Sequence, residues 1–153
     1  MIGNVIEQPS SNSNPTMLAY GEEGASNPGK NLYVVNNTFL NDDSSRGTFV
    51  QIGSGVTTAA LLQNNIFGGI GTLSTQTSAV QKTNYRSVSP GFVNRSAWDL
   101  RPLANTLVTN AGSVPGTSIT GISLKPVGQY KHVAAGVARP AMGTIDIGAY
   151  EAQ

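Results

Sequence analysis

The residues able to do chemistry are few, and most of them fall late in the chain. Asp146 and Glu151 stand five positions apart in the terminal phrase Asp146-Ile147-Gly148-Ala149-Tyr150-Glu151. Two carboxyl groups roughly 5–9.5 Å apart are what glycoside hydrolysis needs: one protonates the leaving oxygen, the other attacks or activates water. His132, the single histidine, follows Tyr130 and Lys131 and precedes Arg139. An imidazole there could take a proton as a general base. No Gly-x-Ser-x-Gly elbow supplies a nucleophile for it, since Gly53-Ser54-Gly55 reads only as a turn. Asp146, Glu151, His132 and Arg139 are thus the candidate catalytic residues of one reading, a hydrolase or lyase acting on polysaccharide or ester bonds. The preferred reading gives them structural work: Asp146 bonds to backbone or to Arg139, and Tyr150 packs.

Asp42-Asp43 and Glu22-Glu23 could offer oxygens to a hard cation. No further acidic residues follow at loop-motif spacing, so solvated turns are expected there, with no metal and no cofactor. The absence of cysteine excludes disulfides and thiolate metal sites. Trp98 and the tyrosines 20, 33, 85, 130 and 150 could stack on sugars, although burial accounts for most aromatics. The net charge is +1 and the basic residues are scattered, so no stripe exists to neutralise phosphates and no nucleic-acid partner is expected. No run approaches the ~18–20 apolar residues of a membrane span, so no membrane partner is expected. Met1-Ile2-Gly3-Asn4 lacks the basic start and apolar stretch of a signal peptide.

The elements that must carry these residues are short strands. At 153 residues the chain fits one domain. Charged residues are only 11%, and Asn, Ser, Thr and Gly take their place, the composition of a neutral, turn-rich β protein. One phrase recurs: Asn36-Asn37-Thr38-Phe39 returns as Asn64-Asn65-Ile66-Phe67, with a fainter Gly3-Asn4-Val5-Ile6 at the front. The offsets are 33 and 28 residues, a period typical of repeat architectures. Asn31–Val35 is the clearest strand, with Leu32 and Val34 on one face. Strands this short are stable only when stacked, each pairing in parallel with its equivalent one coil later. Phe39 should then lie over Phe67 with Ile6 beneath, and Asn37 and Asn65 should form a bonded column at the bend. Gly68–Thr77 gives no clear element, and Leu103–Ala111 is the best candidate for a short helix or single turn.

This pattern resembles right-handed parallel β-helix proteins, the class that includes pectate lyases and many secreted bacterial surface proteins. Ser89-Pro90-Gly91-Phe92-Val93, Asp99-Leu100-Arg101, Arg139-Pro140 and the D-x-G-A-Y-E ending are similar to the C-terminal segment of uncharacterised extracellular bacterial β-helix proteins. The resemblance implies an all-β solenoid of about three to four coils: one domain over 1–153, with coils in 1–85 and an irregular C-terminal wrap and cap in 86–153. It also implies an extracellular or cell-surface parent longer than this chain, which starts in mid-coil. Lyases of the class generally use a basic residue as base, with a cation on the sugar carboxylate; Lys131 and Arg139 are basic, but the acidic Ca²⁺ cluster has no counterpart, so that activity is not carried over. The expected role is structural or carbohydrate-interacting, with polysaccharide as the partner. The coil containing Met1–Gln8 has no cap before it, and exposed strand edges invite pairing. Self-association through that end, as a dimer, is expected unless Pro9–Pro15 folds over the opening.

Overall fold

The computed structural model describes residues 1–26, 28–141 and 143–152. The first half is a rotation of short strands through three parallel sheets. Strands β1 (Val5–Gln8), β4 (Thr38–Asn41), β7 (Ile66–Gly68) and β10 (Tyr85–Ser87) form the first sheet in that order. Strands β2 (Thr16–Tyr20), β5 (Thr48–Ile52) and β8 (Thr72–Ser74) form the second, and β3 (Tyr33–Val35), β6 (Leu61–Gln63) and β9 (Val80–Lys82) the third. Each strand thus pairs with the strand three places later, an all-β arrangement of stacked parallel sheets compatible with a β-helix. Ile6, Phe39 and Phe67 share one register column, and the two phenyl rings stack with centroids 5.2 Å apart. Phe49 joins both rings in the core, together with Val34 and Leu62.

The doubled asparagines explain how the chain turns between the third sheet and the first. Gly3, Asn36, Asn64 and Thr83 all have left-handed backbone, with φ of 70°, 52°, 55° and 48°. Glycine and asparagine tolerate that region at little cost, which makes the bend repeatable. The following residue turns its amide along the stack. Asn4, Asn37 and Asn65 each donate from backbone N and from Nδ2 to Oδ1 of the next asparagine, at 2.9–3.1 Å, ending on Asn84. Bend and column therefore belong to neighbouring residues rather than to one. The fourth rung, Thr83-Asn84, lies only 19 residues after Asn65, a shortened spacing that hides it in the sequence.

The second half of the chain lies along the stack. A short antiparallel pair, β11 (Phe92–Asn94) and β12 (Asp99–Pro102), flanks a single 3-10 turn at Arg95–Ala97. A hairpin follows much later, β13 (Gly128–Lys131) with β14 (Ala135–Ala138). Leu103–Ala111 forms turns rather than a helix, and the D-x-G-A-Y-E segment is a run of bends. Apolar residues of that segment cover the outward side of the first sheet: Ala149 and Tyr150 pack with Leu40 and Leu100, and Ile147 packs with Ile66 and Val108. Gly148 has to be glycine, since its φ is +102° and a Cβ would come within 2.6 Å of Ile66 Cδ1. The outer column of asparagines tethers this wrap. Asn36 Nδ2 donates to the carbonyls of Asp146 and Gly148, and Asn64 exchanges bonds with Ser113 through both ends of its amide. No helix among the described residues is long and apolar enough to cross a membrane.

Candidate functional site

The four candidate catalytic residues divide between two places. Arg139, Asp146 and Glu151 come together in a buried knot where the terminal segment meets the stack. Arg139 Nε donates to Glu151 Oε1 at 2.8 Å, and both side chains are at most 5% exposed. The rest of the guanidinium donates to the carbonyls of Gly148, Asp146 and Tyr150. Glu151 in turn accepts from the Asp146 backbone N–H, while the Asp146 carboxylate accepts from the N–H groups of Asn110 and Ala152. Burial pushes the Glu151 carboxyl above its ordinary range, even against the adjacent Arg139. Among the described residues every partner of these three side chains is a backbone group or a knot member, so these groups fix the path of the terminal segment. A small hollow of 170 Å³ borders Asp146 and Glu151.

His132 is elsewhere, at the tip of the β13–β14 hairpin. Its ring stacks on Trp98, with centroids 5.8 Å apart and 23° between planes. Its Nδ1 lies 3.2 Å from the Tyr130 hydroxyl. Trp98, Tyr130 and His132 line an open groove of 480 Å³ that runs between the hairpin and the β11–β12 pair, with Tyr150 also in its lining. Trp98 itself is 46% exposed, and its backbone sits at φ +60°, held by its N–H donating to the Arg95 carbonyl. A bulky residue in that region is a backbone outlier, and such outliers cluster where a side chain must be aimed.

Polar groups complete the groove. Arg101 clamps Asp99 with Nε and a terminal nitrogen, at 2.8 and 2.6 Å. That hydrogen bonding holds the Asp99 carboxyl below its ordinary value and raises Arg101. Lys131 and Gln129 project from β13 into the same lining. Burial pushes the Tyr150 hydroxyl up to about 12, so it stays a neutral phenol at any ordinary pH. Of the proposed sugar-stacking residues, Trp98, Tyr130 and Tyr150 meet here, whereas Tyr20, Tyr33 and Tyr85 belong to the stack. Asp99, Arg101, Gln129 and Val137 were not singled out as site residues from the sequence. The clustering of Tyr130, Lys131 and His132 was the available signal, but nothing local showed that Trp98 would meet them.

Asp42 and Asp43 are structural in their contacts, whereas Glu22 and Glu23 are exposed in a loop. Asp43 accepts from the Ser45 N–H and hydroxyl and from Asn12, and these bonds lower its carboxyl to about 2. Asp42 and Glu7 share Arg95, at 2.6 and 2.8 Å. Among the described residues no group of three or more His, Asp or Glu side chains is arranged to hold a metal ion. No family model, curated protein or solved structure matches the chain.

Proposed function

We propose that this chain is a carbohydrate-interacting portion of a right-handed parallel β-helix, part of an extracellular bacterial protein, and that it binds polysaccharide without turning it over. Three observations support the fold part of this reading: the rotation of strands through three sheets, the stacked Phe39–Phe67 column and the asparagine ladder. Crossovers between parallel strands of one sheet are almost always right-handed, which supports the hand.

The single observation that carries the function is the groove of Trp98, Tyr130 and His132 beside the Asp99–Arg101 pair. The C–H face of a pyranose ring is apolar and faintly positive, and it suits the negative face of an indole or phenol ring. Concave sites with aromatic walls and a few fixed polar groups are the usual form of a small-ligand site. The test is a glycan array on the intact chain, followed by titration with Trp98→Ala and Tyr130→Ala. Roughly tenfold or greater weakening with an unchanged melting temperature is expected. Unchanged binding in both variants overturns the reading.

The hydrolase or lyase alternative has two observations in its favour, the hollow beside Asp146 and the raised Glu151 carboxyl. It requires turnover that disappears in both Asp146→Asn and His132→Ala while the fold survives.

A further inference from the structure

The groove contains one buried polar side chain whose orientation is dictated by the backbone. Gln129 is 8% exposed, and its Oε1 accepts from the Glu151 N–H at 3.2 Å. A backbone N–H can only donate, so the amide oxygen must face it, and the Nε2 group must face the other way. Nε2 has no partner among the described residues, yet it is not among the buried side-chain atoms left without one. Gln129 lines the groove, so this amide presents two N–H donors to whatever occupies it.

The neighbours of that amide define what it would meet. Val137 is the cross-strand register partner of Gln129 in the hairpin, it lines the same groove, and it is 40% exposed. Side chains of directly opposed residues lie about 4.5–5.5 Å apart at Cβ. A donor thus stands beside a branched apolar group. Lys131 adds a second donor, and none of the ion pairs among the described residues involves it. Two of the groove's acceptors are partly engaged: Arg101 donates to both Asp99 oxygens, and the His132 Nδ1 faces the Tyr130 hydroxyl.

We infer that the groove recognises an acetylated sugar, with the acetyl carbonyl accepting from Gln129 Nε2 and the acetyl methyl resting on Val137. An acetyl group offers an acceptor oxygen next to an apolar methyl, the complement of the Gln129–Val137 pair. Acetamido sugars and O-acetylated sugars share this chemistry. The inference rests on the carbohydrate-binding reading and names the ligand class of that same groove.

The experiment is calorimetric titration of the intact chain with four probes: the β-1,4 hexamer of N-acetylglucosamine, the glucose hexamer of the same linkage, an O-acetylated xylan oligomer and its deacetylated form. Each acetylated probe is compared with its partner, and roughly tenfold or greater preference is expected for at least one pair. The pair that shows it identifies the source, amide or ester. Gln129→Glu keeps an acceptor for the Glu151 N–H and replaces the donor with an oxygen, so it should abolish the preference. Val137→Thr keeps the hairpin shape and should reduce it, so the inference stays testable if Gln129→Glu unfolds. Equal binding within both pairs overturns the acetyl assignment and leaves the carbohydrate reading standing. A preference unaltered in a folded Gln129→Glu variant also overturns it. Failure of every probe, together with an empty glycan array, overturns both readings.

Discussion

At the scale of single residues, the chain separates groups that hold the fold from groups that face solvent. Arg139 and Glu151 are the clearest holders. Removing one partner of a buried ion pair strands the other, at about 3–5 kcal/mol, whereas replacing both by apolar groups is often near neutral. Arg139→Ala should therefore cost about 3–5 kcal/mol in urea unfolding. The double change Arg139→Met with Glu151→Leu should cost distinctly less, and equal losses would show that the carbonyl contacts of Arg139 outweigh its ion pair. Asp43 supplies one pH dependence. Its folded carboxyl, at about 2, lies below the ordinary value of 3.8 because Ser45 and Asn12 donate to it. The folded state therefore prefers the ionised form. That contribution is present above pH 3.8 and is lost as pH falls toward 2. A carbon-13 titration of the Asp43 carboxyl should show a midpoint near 2, with loosening of residues 41–47 over the same window. A midpoint at the ordinary carboxylate value would refute this, and Asp43→Asn should flatten the response.

At the scale of elements, the unit that repeats is the bend, not the strand. Asn36 and Asn64 tolerate a positive φ, and Asn64 Nδ2 reaches Asn36 Oδ1 at 3.2 Å. The next position of that column is Thr83, a β-branched residue at φ +48°. Such residues are strained in the left-handed region. Thr83 stays because its hydroxyl bonds Asn64 Oδ1 and lies 2.7 Å from Ser113 Oγ. Thr83→Asn would relieve the strain and let an amide continue the outer column, so it should raise stability by about 1 kcal/mol. A lower urea midpoint for this variant would mean that the Ser113 contact matters more than the backbone. The same column explains why the wrap follows the path it does: carbonyls of residues 146 and 148 meet Asn36, and Ser113 meets Asn64.

At the scale of the whole molecule, the stack has two ends and an uneven cover. The outward face of the first sheet is buried under Leu100, Ile147, Ala149 and Tyr150, and Gln63 on the third sheet bonds Ser113 at 2.7 Å. Strands β1 and β2 occupy sheet edges, each paired on one side only. The loop after β1 bonds sideways to the loop of the next layer, with Asn12 reaching Asp43 and Arg46 reaching the Asn12 carbonyl. Unpaired edges recruit further strands. We therefore expect this chain to form dimers through β1 and β2 at concentrations on the order of tens of micromolar, read by light scattering. A monomeric mass over that range would exclude the association.

The sequence by itself determined the stack. The repeated asparagine phrase, its 33- and 28-residue offsets and the Phe39–Phe67 pairing are local statements, because a parallel rung needs only a strand, a bend and a return of similar length. Where the period shortened, local pattern failed: β8 lay in a Gly/Thr stretch and the fourth rung ended on Thr83-Asn84. The bonding of Asp146 to backbone followed from the need to satisfy a charge in a closing segment, whereas only the structure gives Arg139 the Glu151 carboxylate as partner and the Asp146 carbonyl beside it. The groove was decided only by tertiary structure. Trp98 and His132 are 34 residues apart in sequence, and no spacing rule joins a 3-10 turn to a distant hairpin tip. Gln129 gains its direction from the Glu151 N–H, a group 22 residues away. Both contacts join distant segments of the second half that meet only in the folded chain, and periodicity along the chain carries no trace of them.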